Sequence, residues 1–172
     1  AYKEVSGRED YHSKDSKNIF NIEKNNFVLL AIVGLRDPLK KDIKDAMLNC
    51  QRAGIKVRMV TGDGIDTSRA IARECGIIDP NNNESLVLEG EELQEIVGGI
   101  VCKNCRTKEC DCPRDKATAL KQQKEMREDV LERPEEFEKI YKRLDVIART
   151  RPEDKYALVV GLKQFNHTVA VT

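Results

Sequence analysis

The sequence predicts an α/β fold, with a mostly parallel, doubly wound sheet and helices on both of its faces. Apolar runs without alternation, such as residues 27–33, are typical of strands that are buried on both faces. Helix-period patterns follow these runs, and a helix between two such strands makes a right-handed crossover between parallel neighbours. The 172 residues are enough for one domain of this kind with an appendage.

Local signals place each element along the chain. Asp37 can cap a helix whose first position is Pro38, and Gly54 suits a left-handed cap at its end. In the first part of the chain we predict an exposed arm at 1–25, a strand at 27–33, a helix from Asp37-Pro38 to Gly54, a strand at 55–60 and a helix at about 65–75. The helix that ends at Gly54 has an apolar face of Leu39, Ile43, Met47 and Cys50. Further along we predict a short strand at 86–88, a helical turn or two at 91–97, a helix at 134–144, a strand at 145–149, a helix from 152 and a final strand at 168–172.

The charge balance argues against some classes of partner. Lys and Arg number 30 and Asp and Glu number 30, so the formal net charge is zero. Nucleic-acid binders usually carry a basic excess, and we expect no nucleic-acid partner. The longest apolar run, residues 27–33, is far shorter than the ~20 residues that a membrane helix needs. With no visible signal or transit peptide, we expect a soluble chain.

A charged, cysteine-containing insertion is predicted at about 98–133, where helix and strand patterns fade. It holds Cys102, Cys105, Cys110 and Cys112, and four thiolates in a short loop can close a tetrahedral zinc site. Structural zinc, free thiols and disulfides remain open for this cluster, although a reducing cytosol disfavours disulfides. The basic and acidic stretch that follows the cluster predicts a weak, solvated helix.

A second candidate site lies where the strand at 55–60 ends. Thr61 and Gly62 supply a hydroxyl and an amide there, and the next helix offers its N terminus to the same anion. Arg149 ends a later strand and Lys155 lies in the first turn of the helix after it, so both belong to the same edge and suit a phosphoryl group. The alternatives are a plain strand-to-helix turn capped by Asp63 or Asp66 and ordinary solvated basic side chains.

The order of these motifs resembles the phosphorylation domain of the P-type cation-transporting ATPases, whose fold is haloacid-dehalogenase-like. The resemblance covers roughly residues 26–97 and 134–172. It is strongest to the calcium pumps of the plasma-membrane, calmodulin-regulated type, in the stretches AIVGLRDP at 31–38, VRMVTGD at 57–63, AIA at 70–72, CGII at 75–78, LEG at 88–90 and IAR at 147–149.

The resemblance implies roles for five residues. Thr61 and Gly62 would contact the phosphoryl oxygens, with Thr61 and Lys155 counted as catalytic. Lys155 would neutralise the pair formed by an aspartate and its phosphoryl group. Asp63 would organise the site near the nucleotide phosphates, and Arg149 would contribute to nucleotide binding.

The resemblance also implies a domain organisation and a set of partners. Residues 1–25 would end a nucleotide-binding domain, and residues 26–172 would form an incomplete phosphorylation domain that the chain re-enters at the Asp37-Pro38 hinge. The parent protein would use ATP and Mg²⁺ and would transport Ca²⁺ through membrane helices outside this sequence. It would also contact the remaining pump domains, and calmodulin through an absent segment, with this part on the cytoplasmic side of the plasma membrane.

Two family motifs are missing from the 172 residues. The phosphorylated Asp-Lys-Thr-Gly-Thr motif and the magnesium-binding Gly-Asp-Gly-x-Asn-Asp motif do not occur. We therefore expect a fragment that has no turnover by itself. Two other functions remain open: a non-catalytic binding module built around a four-cysteine zinc knuckle, and a soluble phosphatase of the same fold.

Overall fold

The structure of the chain, a computed structural model, describes residues 2, 12–24, 27–34, 38–79 and 84–172. The chain divides into two units, Ala1–Pro38 and Leu39–Thr172. The predicted domain boundary between residues 25 and 26 stays a prediction. The predicted helix cap at Asp37 lies outside the described residues.

Turns organise the described part of the first unit. Asp15 Oδ1 accepts hydrogen bonds from the backbone N–H groups of Lys17 and Ile19, at 2.8 and 3.0 Å. Lys24 Nζ lies 3.1 Å from Asp15 Oδ2. The hydrogen bonds and this ammonium lower the pKa of Asp15, the bond from Ile19 having the largest effect. A single 3₁₀ turn follows at Asn21–Glu23.

The strand predicted at 27–33 is wrong in this structure. Val28 exchanges backbone hydrogen bonds with Tyr2, but the residues that follow it, up to Gly34, have no strand assignment. The side chains of Ile32 and Val33 are 88% and 81% exposed. An apolar run becomes a buried strand only where neighbouring strands take up its backbone groups, and an isolated bridge does not provide such neighbours.

The second unit alternates helices and strands, as predicted. Its six described helices are α1 (Ile43–Arg52), α2 (Ile65–Cys75), α3 (Gly90–Val97), α4 (Lys116–Gln122), α5 (Pro134–Ile140) and α6 (Pro152–Gln164), and its strands are β1 (Met59–Val60), β2 (Leu86–Glu89), β3 (Ile100–Cys102), β4 (Asp129–Leu131) and β5 (Leu144–Ala148). None of the helices in the described ranges combines the length and the hydropathy that crossing a bilayer requires.

The main sheet is parallel, with β5 between β1 and β2. In the register, Val60 and Leu88 both lie opposite Ile147. Because all three strands run in one direction, their carboxyl ends meet at one edge of the sheet. The carboxyl ends are therefore brought together as the predicted site requires.

Helices cover both faces of this sheet, as the sequence predicted. Adjacent residues of a strand point to opposite faces. Ile147 packs in a core with buried side chains of α3, α5 and α6, whereas its neighbour Val146 packs with Ala72 of α2 and with Ile78. The chain therefore has a mixed α/β fold built on a three-stranded parallel sheet.

Four further predicted elements need correction, and one of them, the helix predicted at 134–144, ends at Ile140. The strand predicted at 55–60 shortens to β1, although Arg58 still reaches across to β5, donating to the carbonyls of Leu144 and Tyr141 at 3.0 and 2.8 Å. The helix predicted from Pro38 begins at Ile43, because lysines at 40 and 41 are unfavourable at the positive end of a helix dipole. Residues 168–172 form no strand among the described elements.

The insertion at about 98–133 is more ordered than its sequence predicted. Its ends form the antiparallel pair β3–β4, with Val101 opposite Val130. Val101, Val130 and Leu131 are at most 5% exposed, and Leu131 belongs to the main core. The insertion is therefore a hairpin whose base is packed into the domain, and its predicted weak helix is α4.

Candidate functional site

The loop after β1 is fixed to the loop after β5. The Thr61 N–H donates to Ile147 O at 3.0 Å, and the Thr61 carbonyl accepts two hydrogen bonds of 3.0 Å, from Thr150 N and Thr150 Oγ1. Thr61 Oγ1 accepts a hydrogen bond from Asp63 N at 3.1 Å. Because a hydroxyl also has one proton to donate, Thr61 keeps a donor for an incoming anion.

The rest of this loop is held from two sides. Arg149 N donates to Asp63 O at 2.9 Å. The buried hydroxyl of Ser68, in the first turn of α2, donates to Gly64 O at 2.9 Å. Gly62 has nothing within 4 Å of the position that a Cβ would occupy, so space is open above its backbone. The loop is thus rigidly attached but accessible to a ligand.

Arg149 has an uncommon backbone conformation, with φ of 47° in the left-handed region. A side chain other than glycine is rare there and marks a position that the surroundings enforce. Its guanidinium lies at the edge of the sheet, 67% exposed, with Nε 3.2 Å from Glu89 Oε1 at the end of β2. Arg149 therefore joins the carboxyl ends of all three strands.

The start of α6 is built on a buried carboxylate. Asp154 is 3% exposed, and its oxygens accept hydrogen bonds of 2.8 Å from Arg151 N and from Gln94 Nε2 on α3. A Cβ on Gly90 would lie only 2.2 Å from Asp154 Oδ2. Glycine at this position therefore lets the starts of α3 and α6 meet.

Lys155 follows Asp154 in the first turn of α6 and is exposed. No carboxylate of the described residues lies within ion-pair distance of it, whereas Arg149 is paired with Glu89. Since β1 and β5 are adjacent and parallel, Thr61 and the start of α6 lie at the same sheet edge. Binding of a phosphoryl group by Thr61, Gly62, Asp63, Arg149 and Lys155 stays a prediction.

An open groove of about 1060 Å³ begins at this edge and extends to the insertion. Glu89, Arg149 and Asp154 line it on the sheet side, and Lys108 and Arg133 line it on the insertion side. Its walls are mostly charged, which suits a charged ligand or the surface of another domain better than an apolar molecule.

The four clustered cysteines form a second candidate site. The sulfurs of Cys102, Cys105, Cys110 and Cys112 all lie within 4.8 Å of one another, and all four are free thiols. Cys102 is buried at the end of β3, Cys105 is exposed and the other two are half-buried. This is the only group of three or more His, Cys, Asp or Glu side chains that converges in this way within the described part of the chain.

Hydrogen bonds and crowding set the thiol pKa values apart. The pKa of Cys105 falls to about 6, because the hydroxyl and the amide of Thr107 donate hydrogen bonds to its sulfur. The pKa of Cys102 is lowered by the N–H groups of Cys105 and Asn104. The pKa of Cys112 rises to about 12, because of its hydrogen bond with Cys110, its burial and its nearness to the other sulfurs. Four thiols so close together cannot all ionise without a compensating cation.

Comparison with known proteins finds relatives that align with most of the chain. No family model matches it. It is 35% identical over 164 residues to calcium-transporting ATPase 5, plasma membrane-type, of Oryza sativa subsp. japonica, and 35% identical over 153 residues to calcium-transporting ATPase 8, plasma membrane-type, of Arabidopsis thaliana. It is 36% identical over 133 residues to the plasma membrane calcium-transporting ATPase 4 of Homo sapiens. The chain is homologous to part of the plasma-membrane calcium-transporting ATPases.

The homology covers most of this chain but only a small part of each relative. The alignments cover 95%, 88% and 77% of the chain but only 12%, 11% and 8% of the rice, Arabidopsis and human ATPases. The resemblance stated from the sequence motifs is therefore confirmed at the level of the calcium ATPases, for a segment of about one eighth of their length or less.

The sequence patterns did not reveal several groups that build this edge of the sheet. Asp154 is one of two acids in the first turn of α6, where an acid usually faces solvent, yet it is buried and bonded to α3. Thr150 has no motif of its own, although it fixes the Thr61 loop. The glycine in the LEG stretch was a usable signal, because a glycine at a helix start often marks a close approach, here of Gly90 to Asp154.

Proposed function

We propose that the chain is the phosphorylation-domain segment of an ATP-driven calcium pump with a haloacid-dehalogenase-like fold. Residues 26–172 belong to that domain in this proposal, and residues 1–25 end the nucleotide-binding domain. The observation that carries it is the shared edge of the parallel sheet, where the Thr61-Gly62 loop is bonded to the segment that leads into α6 and Lys155. The homology to calcium-transporting ATPases supports the choice of reaction.

The residues of the edge have distinct tasks in this mechanism. The Thr61 hydroxyl and the Gly62 N–H donate to the phosphoryl oxygens. The Lys155 ammonium, which has no carboxylate partner among the residues that the structure describes, balances the charge on an aspartate and its phosphoryl group. Asp63 orders the loop near the nucleotide phosphates, and the guanidinium of Arg149 binds the nucleotide.

Magnesium does not fit this edge by itself. The carboxylate of Asp154 is used in hydrogen bonds, that of Glu89 is paired with Arg149, and no three carboxylates converge among the described residues. Mg²⁺ prefers several oxygen ligands in octahedral geometry. In the pump we therefore assign Mg²⁺ to the Gly-Asp-Gly-x-Asn-Asp motif, which the 172 residues do not contain, and no step here depends on it.

The transported ion, the membrane and the partners follow from the homology. We propose Ca²⁺ as the ion and the plasma membrane as the location, with this segment on the cytoplasmic side. ATP would reach Arg149 at the sheet edge, whereas the other pump domains and calmodulin would act through parts of the protein outside this sequence. The choice of Ca²⁺, ATP and the plasma membrane rests on relatives whose names state a calcium-transporting ATPase of the plasma-membrane type.

The test is phosphoenzyme formation from labelled ATP in the full-length pump. Lys155→Ala should lower the level or rate of phosphoenzyme by about 10²–10³-fold, as for the loss of one charge donor aimed at the reacting group. Lys163→Ala, in the last turn of the same helix, is the matched control and should leave it unchanged. A Lys155→Ala pump with normal phosphoenzyme would refute the role of this lysine.

The alternative of a soluble phosphatase predicts a different result. The 172-residue chain itself would then hydrolyse an aryl phosphate, and Lys155→Ala would abolish this activity. Because the chain contains no Asp-Lys-Thr-Gly-Thr nucleophile motif, we expect no turnover above background. Phosphatase activity of the purified chain that disappears with Lys155→Ala would favour the phosphatase over the pump segment.

A further inference from the structure

The four-cysteine cluster has the dimensions of a metal site. Four sulfurs placed tetrahedrally at ~2.3 Å from a zinc ion lie about 3.8 Å from one another. The sulfurs of Cys102, Cys105, Cys110 and Cys112 all lie within 4.8 Å of one another, so small rotamer changes bring them to a common centre. A disulfide would instead need a pair at ~2.05 Å, and all four are free thiols in the structure.

The backbone around the first cysteine pair is already folded for such a site. Arg106 N donates to Cys102 O at 2.8 Å, and Cys102 N donates to Thr107 O at 2.9 Å, so the chain turns back tightly after Cys105. Arg106 completes the turn with φ of 58°, a left-handed conformation that is unusual for arginine. This turn directs the two sulfurs to one side, as a chelating pair requires.

A buried cation stands beside the sulfurs. The Arg127 side chain is 6% exposed, and its Nη1 donates to Cys110 Sγ at 3.3 Å and to Lys108 O at 3.1 Å. Its Nε lies 2.6 Å from Asp129 Oδ1. A zinc ion with four thiolates carries a net charge of −2, and an arginine that donates to a ligand sulfur stabilises such a centre.

The same arginine joins the cluster to the rest of the domain. Asp129 Oδ2 accepts a hydrogen bond of 2.7 Å from the hydroxyl of Tyr156 on α6. Tyr156 is the neighbour of Lys155, so a continuous chain of contacts runs from the cysteine loop to the helix that carries the proposed phosphoryl-binding lysine. These contacts link the cysteine cluster to α6 through Arg127, Asp129 and Tyr156.

We propose that Cys102, Cys105, Cys110 and Cys112 bind one structural Zn²⁺ ion, which closes the loop of the hairpin insertion and holds it against α6. Four protein ligands leave no open coordination position, so the site serves structure and not catalysis. Magnesium and calcium are unsuitable because all four ligands are sulfur, and of the metals that four thiolates hold tetrahedrally, redox-inert zinc matches the structural role proposed here. The zinc proposal does not depend on the assignment of the chain to a calcium pump.

The first test is the metal content of the purified 172-residue chain. After reconstitution with Zn²⁺ under reducing conditions and removal of free metal, we expect one zinc per chain. Cys105→Ser should lose this stoichiometry, and Cys50→Ser, a half-buried cysteine outside the cluster, should retain it. Four reactive thiols without metal, a disulfide within the cluster, or iron as the metal bound from a mixture of Zn²⁺ and Fe²⁺ would each overturn the proposal.

Cobalt substitution tests the geometry without any variant. Co²⁺ bound to the wild-type chain should show the intense visible absorption of a tetrahedral thiolate site, and Zn²⁺ should displace it. The weak absorption of six-coordinate cobalt would contradict a four-sulfur site.

Arg127 is a positioning residue, and its test is a zinc affinity measured against a competing chelator. Arg127→Gln should weaken zinc binding by about 10–100-fold, and Arg127→Lys should recover part of the loss because it restores the positive charge. An unchanged affinity of the folded Arg127→Gln chain would remove Arg127 from the site.

Discussion

Replacing Gly90 by alanine tests the contact that brings α3 and α6 together. The new Cβ would lie 2.2 Å from Asp154 Oδ2, 2.9 Å from its Cγ and 3.3 Å from Arg149 O. Distances below 3 Å do not persist, so the Asp154 carboxylate must move. This carboxylate is 3% exposed and accepts hydrogen bonds from Gln94 and Arg151, at 2.8 Å each. Moving it breaks or weakens both.

The expected cost follows from these contacts. Overpacking in a buried site costs ~1–3 kcal/mol, and losing a hydrogen bond to a charged group costs a further ~1.5–3 kcal/mol. The higher helix propensity of alanine offsets up to ~1 kcal/mol of this loss of stability. Gly90→Ala should therefore lower the free energy of unfolding by about 2–5 kcal/mol, measured by urea denaturation followed by circular dichroism.

Two controls separate this clash from a general intolerance of substitution. Gly62→Ala meets nothing within 4 Å on the same sheet edge and should change the free energy of unfolding by less than ~0.5 kcal/mol. In an Asp154→Ala background, the Gly90→Ala change should cost less than ~1 kcal/mol, because the clashing carboxylate is gone. A Gly90→Ala chain as stable as wild type, or additive effects of the two changes, would refute the argument.

Two further substitutions address packing and pH. Gly161→Ala should destabilise the chain by ~1–3 kcal/mol in the same denaturation assay, because its Cβ would lie 2.8 Å from a Phe137 ring carbon in the core; wild-type stability would contradict this packing. Burial raises the pKa of Asp129, but the hydrogen bonds from Tyr156 and Arg127 outweigh burial and leave this pKa below its usual value. The ionised Asp129 carboxylate therefore stabilises the folded chain fully above its pKa of ~3.9 in the unfolded chain. This stabilisation is lost as the pH falls through the lower pKa that Asp129 has in the folded chain. Tyr156→Phe should cost about 1 kcal/mol near neutral pH, since the pair is partly solvated, and the difference from wild type should vanish in strong acid; a cost independent of pH would contradict it.

The parts of the fold predicted correctly are those whose neighbours are also in the chain. Hydrophobic patterns in the sequence located α2, α3, β2, β5 and α6, and each of these packs against another of them. The apolar run at 27–33 has the composition of a buried strand, but burial depends on neighbouring strands that a local pattern does not specify. The strand at 168–172 was also predicted from local composition, which does not specify the neighbouring strands that it would need.

The hairpin at the base of the insertion was not predicted, because its strands are too short to give a local sequence pattern. β3 and β4 have only three residues each, and the charged loop between them hides their pairing from any window of local sequence. Leu131 joins the main core with residues of α3, α5 and α6, and Val101 is buried on the paired strand β3, so tertiary packing makes both of them core residues. The four cysteines gave a clear spacing signal, but only the coordinates bring all four sulfurs together.

The candidate phosphoryl-binding edge was predictable in part. Thr61, Gly62 and Asp63 stand out because a strand, a glycine turn and a helix follow one another, which is the local pattern of an anion site. That the loop is fixed by Thr150 depends on two strands far apart in sequence lying side by side. Such long-range hydrogen bonds leave no local periodicity.

The most direct test of the central claim is an experimental structure of the full-length protein with beryllium fluoride bound, in place of a phosphoryl group, to the aspartate that the proposed pump would phosphorylate. We predict that the fluorine atoms of the beryllium fluoride accept hydrogen bonds from Thr61 Oγ1 and from Lys155 Nζ, each within ~3.2 Å. A fluoride group bound elsewhere, with Thr61 and Lys155 both pointing into solvent, would contradict it.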